Sequence, residues 1–277
     1  MKHLLLLLAV TLTACERMVV PTDPDSEPVT SVTFSVRPAQ WQITRSLTAD
    51  GTDMTDLWLF DYVDGTLAQM LHKTSSDEDI ATPALPMAYG QHTVYFIASR
   101  GKTPTVGTTT VTWATASDTF HQSVTLNVDG TTAQQSVTLD RATTKMRITI
   151  ADEVPSTLAT VEIQPSVWFR GIDYTTGEAT QSIDAPISIT IPSSYHGTTG
   201  SLSLNVFGIS DAGDEWLSDV TITAKDANSS IIGQVTIPDV PVLRNRVTDL
   251  SGPLFSSSDG FSITLNDEWL TPTQIEW

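Results

Sequence analysis

The chain has 277 residues, 40% of them hydrophobic, with 14 basic against 32 acidic side chains and a formal net charge of −18. That apolar share supports packed cores and excludes a disordered chain, while the acidic surplus excludes nucleic acid as a partner and opposes electrostatic docking on anionic lipid. A single cysteine excludes disulfide staples, so the cores alone must hold the fold.

At the N-terminus, Lys2-His3 precede an apolar run from Leu4 to Leu12, then Thr13-Ala14-Cys15. A polar start, a short apolar stretch and small residues before the cut make residues 1–14 a secretory signal. The run is far short of the roughly 20 residues that span a bilayer. The string ending in Cys15 resembles a bacterial lipoprotein signal, whose cysteine is acylated and becomes the first mature residue. Buried acyl chain contributes about 0.8 kcal/mol per CH₂, and more than one chain makes an anchor stable. Residues 15–28 carry Pro21, Pro24 and Pro28 without periodicity, and read as a lipidated tether. Extended at about 3.1 Å per residue, it would reach roughly 40 Å from the lipid.

From Val29 onward the pattern is alternation. The first strand, Val29 to Arg37, sets Val32, Phe34 and Val36 on one face. Val94-Phe96-Ala98, Val124-Leu126-Val128, Met146-Ile148-Ile150, Ile187-Ile189-Ile191, Leu202-Leu204-Val206 and Phe261-Ile263-Leu265 repeat the period of two. With many β-branched residues, these are strands with one buried face. Turn signals at Asp64-Gly65, Tyr89-Gly90, Asp129-Gly130, Thr176-Gly177 and Asp211-Ala212-Gly213 punctuate them. No stretch carries a helical period. The expectation is all-β, with β-sandwich domains over 29–141 and 142–277 that meet near Asp140-Arg141-Ala142.

Chemistry-bearing clusters are sparse. His3, His72, His92, His121 and His196 lie far apart, and no histidine or cysteine spacing suits a metal. Nothing resembles a nucleophile elbow or a phosphate loop, so neither an enzyme nor a cofactor is expected. Asp77-Glu78-Asp79 and the group Asp211, Asp214 and Glu215 are the densest carboxylates, read as solvated loops rather than calcium sites. His92 is expected across or at the edge of a strand. Among seven tryptophans, Trp58 and Trp168 sit in apolar runs that suit core packing, whereas Trp216 and Trp269 are flanked by acids and suit an exposed sugar-stacking surface.

Several strings resemble the fimbrillin superfamily of Bacteroidales, the type V pilus subunits and their lipoprotein anchors. These are Asp56-Leu57-Trp58-Leu59-Phe60-Asp61-Tyr62, the turn and strand from Met87 to Ala98, Leu139-Asp140-Arg141-Ala142-Thr143-Thr144-Lys145-Met146, and Asn245-Arg246-Val247-Thr248-Asp249-Leu250-Ser251-Gly252. The resemblance implies two tandem transthyretin-like, Greek-key sandwiches and a structural role in a surface fibre, with other fimbrial subunits and outer-membrane lipid, through Cys15, as partners. It implies assembly by strand addition, in which stalk subunits lose the first strand to an arginine- or lysine-directed protease and the anchor keeps it. In a subunit that is cut, the candidate position is Arg45, before Ser46, because Pro38 discourages a cut after Arg37. An anchor or accessory subunit in the outer membrane is the leading expectation. The alternatives are a stalk or tip subunit matured at Arg45, and a glycan-binding surface lipoprotein.

Overall fold

The computed structural model describes residues 28–38, 54–213, 215–256 and 260–266. Cys15, the tether as far as Glu27, Arg45, Asp214 and Trp269 lie outside them. In chain order the first half runs β1 (Val29–Pro38), β2 (Asp56–Val63), β3 (Thr66–Thr74), β4 (Ala84–Ala88), β5 (Gly90–Arg100), β6 (Thr105–Val106), β7 (Thr110–Thr112), β8 (Asp118–Val128) and β9 (Gln134–Arg141). Seven of these form one sheet, in the order β3-β2-β5-β8-β9-β1-β4. β8 and β9 pair only through Phe120 with Arg141 and His121 with Asp140. The sheet therefore folds over at that point, and its two wings close on a common core of Val32, Phe34, Leu57, Leu59, Met87, Val94, Phe96 and Leu139. Period-two alternation explains the choice of side chains, since every second residue of a strand points to the same face.

The second half runs β10 (Thr143–Ile150), β11 (Leu158–Pro165), β12 (Phe169–Asp173), β13 (Ala179–Ser182), β14 (Ile187–Thr190), β15 (Leu202–Ile209), β16 (Trp216–Asp226), β17 (Ile231–Val242), β18 (Val247–Gly252) and β19 (Ser262–Asn266). A four-stranded sheet, β14-β11-β16-β17, faces a larger one ordered β19-β18-β10-β15-β12-β7-β6, with β13 beside β12. Met146, Ile148, Leu204 and Val206 of the larger sheet meet Val161, Ile163, Val220 and Ile222 of the smaller. All-β sandwich architecture is thus the fold. The halves share a topological detail: the first strand of each pairs antiparallel on one side and parallel on the other, β1 with β4 and β9, β10 with β15 and β18.

Only Ala142 separates β9 from β10. Its N–H donates to the Thr119 carbonyl (2.8 Å) and its own carbonyl accepts from Ser210 N–H (3.2 Å), so one residue hands the chain from one sheet to the next. β6 and β7 precede this junction in sequence, yet β7 pairs with β12, which follows it. A third core lies between the halves, where Phe60 and Ile97 on the outer face of β2 and β5 pack with Val111, Trp113, Ile172, Tyr174 and Ile209. The Phe60 and Tyr174 rings stack there, 3.9 Å apart.

Candidate functional site

The first strand is the residue set that sequence reasoning singled out, and β1 lies inside the N-terminal sheet. It is antiparallel to β4 from Val29/Ala88 to Thr33/Ala84, and parallel to β9 from Thr33/Gln134 to Pro38/Leu139. Beyond the end of β4 the chain still supplies acceptors: Phe34 N–H donates to the Pro83 carbonyl and Val36 N–H to Ala81, both at 2.9 Å. Val32, Phe34 and Val36 are at most 3% exposed. Phe34 meets Phe96 edge-to-face across the core, ring centroids 5.3 Å apart. Both edges of β1 are hydrogen-bonded and its apolar face fills the sandwich, so the strand is a structural part of the core. Lifting it out would expose three apolar sockets spaced two residues apart, flanked by two rows of open main-chain groups. A strand of the same alternation fits such a groove.

The wings of this sheet end at β3 and β4, and side chains clip them together. Gln69 on β3 donates from Nε2 to Asp61 Oδ2 (2.8 Å) and to the Pro86 carbonyl (2.7 Å). His92 pairs through Nδ1 with Asp61 Oδ1 (2.7 Å) and through Nε2 with the Ala88 carbonyl (3.0 Å). Asp61 and His92 are at most 2% exposed, so His92 is a buried cross-strand residue. Both imidazole nitrogens meet oxygen acceptors and the carboxylate is paired, which is how a buried charge becomes tolerable. This clip holds β4, and through it β1, against β2 and β5.

The junction carries a second buried network. Arg141 Nε donates to Asp118 Oδ1 (2.8 Å) and Nη2 to Asp118 Oδ2 (3.2 Å), while Thr143 Oγ1 donates to Oδ1 (3.0 Å). Arg141 Nη1 reaches Asn245 Oδ1 in the approach to β18 (3.3 Å), and its guanidinium lies 5.0 Å from the Phe120 ring centroid. The network spans β8, β9, β10 and the loop before β18, tying the two sandwiches at their crossing point. Sequence reasoning missed it, although Arg141 occupies the inward register of Val137 and Leu139. Asp61, a carboxylate inside the run Leu57–Tyr62, was a similar signal.

The other singled-out residues take structural positions. Trp168 is 2% exposed and donates from Nε1 to the Phe207 carbonyl (3.1 Å). Trp58 is half-buried and stacks on His72 at 3.7 Å. Trp216, expected to be exposed, is half-buried against Phe169 (5.0 Å), because β16 packs it onto the C-terminal core. Asp77 caps its own turn by accepting from the Thr74 N–H (2.7 Å), and Asp79 pairs with Lys73 (2.8 Å). The Thr74 hydrogen bonds, backbone first, hold the Asp77 carboxyl below its ordinary range.

The sequence model of a family of unknown function (DUF6562) matches residues 105–276. That span begins at β6, so it includes the β6–β7 hairpin along with the half of the chain to which the hairpin pairs. No curated protein matches. Among solved structures, a putative adhesin of Bacteroides ovatus superposes with a TM-score of 0.52 at 10% identity, over 83% of this chain and 88% of that one. A putative cell adhesion protein of the same organism gives 0.51 at 10% identity, over 87% and 97%. A putative adhesin of Bacteroides thetaiotaomicron gives 0.50 at 11% identity, over 88% and 98%. At such identities the likeness is one of fold.

Proposed function

The chain belongs to the DUF6562 family, a family of unknown function, and from that premise we propose that it is a surface-displayed structural subunit of a fimbria or related adhesive assembly. We assign it the anchor or accessory position, tethered to the outer membrane through acylated Cys15 and engaging its neighbours by strand addition. We set the boundary between the sandwiches between Arg141 and Ala142, with β6 and β7, which pair with β12, on the C-terminal side. The observation that carries this reading is the state of β1. It is intact, hydrogen-bonded on both edges and buried along one face, so the N-terminal groove is filled by the chain's own strand. A subunit that keeps this strand presents no acceptor groove to a neighbour, so it takes part in strand addition as the donor and terminates the row of exchanges at the membrane. One that loses it opens a groove for another chain. The names of the fold neighbours, two putative adhesins and a putative cell adhesion protein, agree with a surface role.

N-terminal sequencing and mass spectrometry of the protein taken from cells test the assignment. An acylated start at Cys15, together with loss of the membrane fraction in Cys15→Ser, is the expected result. A mature start at Ser46, after cleavage at Arg45, would defeat the anchor reading and make the protein a stalk or tip subunit.

A further inference from the structure

Although the chain carries 32 acidic residues against 14 basic ones, several cations have no carboxylate partner among the described residues, Arg37, Lys102, Arg170 and Arg244 among them. Two of them line one cleft. Lys102, in the loop after β5, and Arg170, on β12, border a cavity of about 380 Å³ that runs between the loop following β7, the approach to β14 and the middle of β15. No acidic side chain lines it. Among the described residues neither cation makes a hydrogen bond or an ion pair, and the Nε of Arg170 is buried without an acceptor. That Nε has essentially no exposed surface, so an acceptor in the cleft meets the terminal guanidinium nitrogens, which are not buried.

The rest of the lining narrows the class of ligand. Thr115 and Asn205 are exposed and offer a hydroxyl and an amide, while Ile187 and the half-buried Phe207 offer apolar surface. A simple inorganic anion would use the cations and leave that apolar wall unfilled. Guanidinium geometry matches a carboxylate bidentately, with the nearby ammonium adding a point charge, and the volume is at the small end of ligand pockets. We propose that this cleft binds an acidic sugar: a carboxylate held by Arg170 and Lys102, hydroxyls by Thr115 and Asn205, and the apolar face of the ring against Ile187 and Phe207. Either the free sugar or the same sugar at the end of a glycan presents this chemistry. The site is remote in sequence from β1 and independent of the strand-addition reading.

Titration of the purified full chain by calorimetry tests it, with glucuronic acid and N-acetylneuraminic acid as probes, glucose and N-acetylglucosamine as neutral controls, and acetate and phosphate as simple anions. The acidic sugars bind, the neutral sugars and simple anions do so at least about tenfold more weakly, and affinity falls as salt rises. Arg170→Gln weakens binding about tenfold or more, as loss of a charge-assisted contact predicts. Lys102→Gln, at an exposed position where folding is not at stake, weakens it by a smaller factor. An oligosaccharide ending in the acidic sugar that binds more tightly than the free sugar identifies a glycan as the source, and equal binding identifies the free sugar. Neutral sugars or acetate binding as well as the acidic sugars, or unchanged affinity in Lys102→Gln, would overturn the proposal.

Discussion

Replacing Arg141 with alanine tests whether the junction between sandwiches depends on one buried ion pair. Arg141 is 4% exposed and Asp118 8%, so truncation strands a carboxylate that water reaches poorly. Breaking a buried pair from one side costs about 3–5 kcal/mol. Asp118 would keep Thr143 Oγ1 at 3.0 Å and Arg100 Nη1 at 3.4 Å, which places the expected loss near the lower end, about 3 kcal/mol. With a urea slope of about 3 kcal/mol/M for a chain of this size, the unfolding midpoint falls by about 1 M. Equilibrium unfolding followed by tryptophan fluorescence measures this shift. A double-mutant cycle with Asp118→Ala then separates the pair from the packing of Arg141 over Phe120, with an expected coupling of about 2 kcal/mol. Because the network reaches Asn245 as well as β8, the variant should also lose cooperativity between the halves. A loss below about 1 kcal/mol, or additive single mutants, would show that Asp118 finds another partner and would refute the reasoning.

Asp152 accepts N–H bonds from Leu254, Phe255 and Ser256 between 2.7 and 3.1 Å. Desolvation pushes its pKa up, but these backbone donors outweigh it and hold the carboxyl below its ordinary range. A depressed folded pKa contributes stability that is present above the unfolded value and is lost as pH falls through the folded one. Asp152→Asn should therefore melt lower than the parent at neutral pH, with the gap closing on acidification below about pH 4; a gap that widens in acid would contradict the assignment. Gly208→Ala places a methyl 2.5 Å from Cε2 of the buried Trp168 indole. Overpacking of this kind costs about 1–3 kcal/mol, so calorimetry should record a melting point several degrees lower, and an unchanged value would mean that the indole has room to move.

The amino-acid order alone determined the all-β class, the inward register of Val32, Phe34 and Val36, and turns such as Asp64-Gly65, where both residues adopt positive φ (49° and 75°). These are local properties: a period of two picks a face, and a left-handed backbone picks its residues. Tertiary structure decided which strands are neighbours. Main-chain ladders look alike for every sequence, so nothing in Val29–Pro38 specifies β9, and nothing in Thr110–Thr112 specifies β12 on the far side of the Ala142 crossing. The same holds for the polar groups. Asp61, Asp118 and Arg141 stand out in the chain as charges in apolar registers, but their partners come from strands that only packing brings within hydrogen-bond reach. Lys102 and Arg170, separated in the chain by six complete strands, β6 to β11, face one cleft because the β6–β7 hairpin carries its loop across to the C-terminal half.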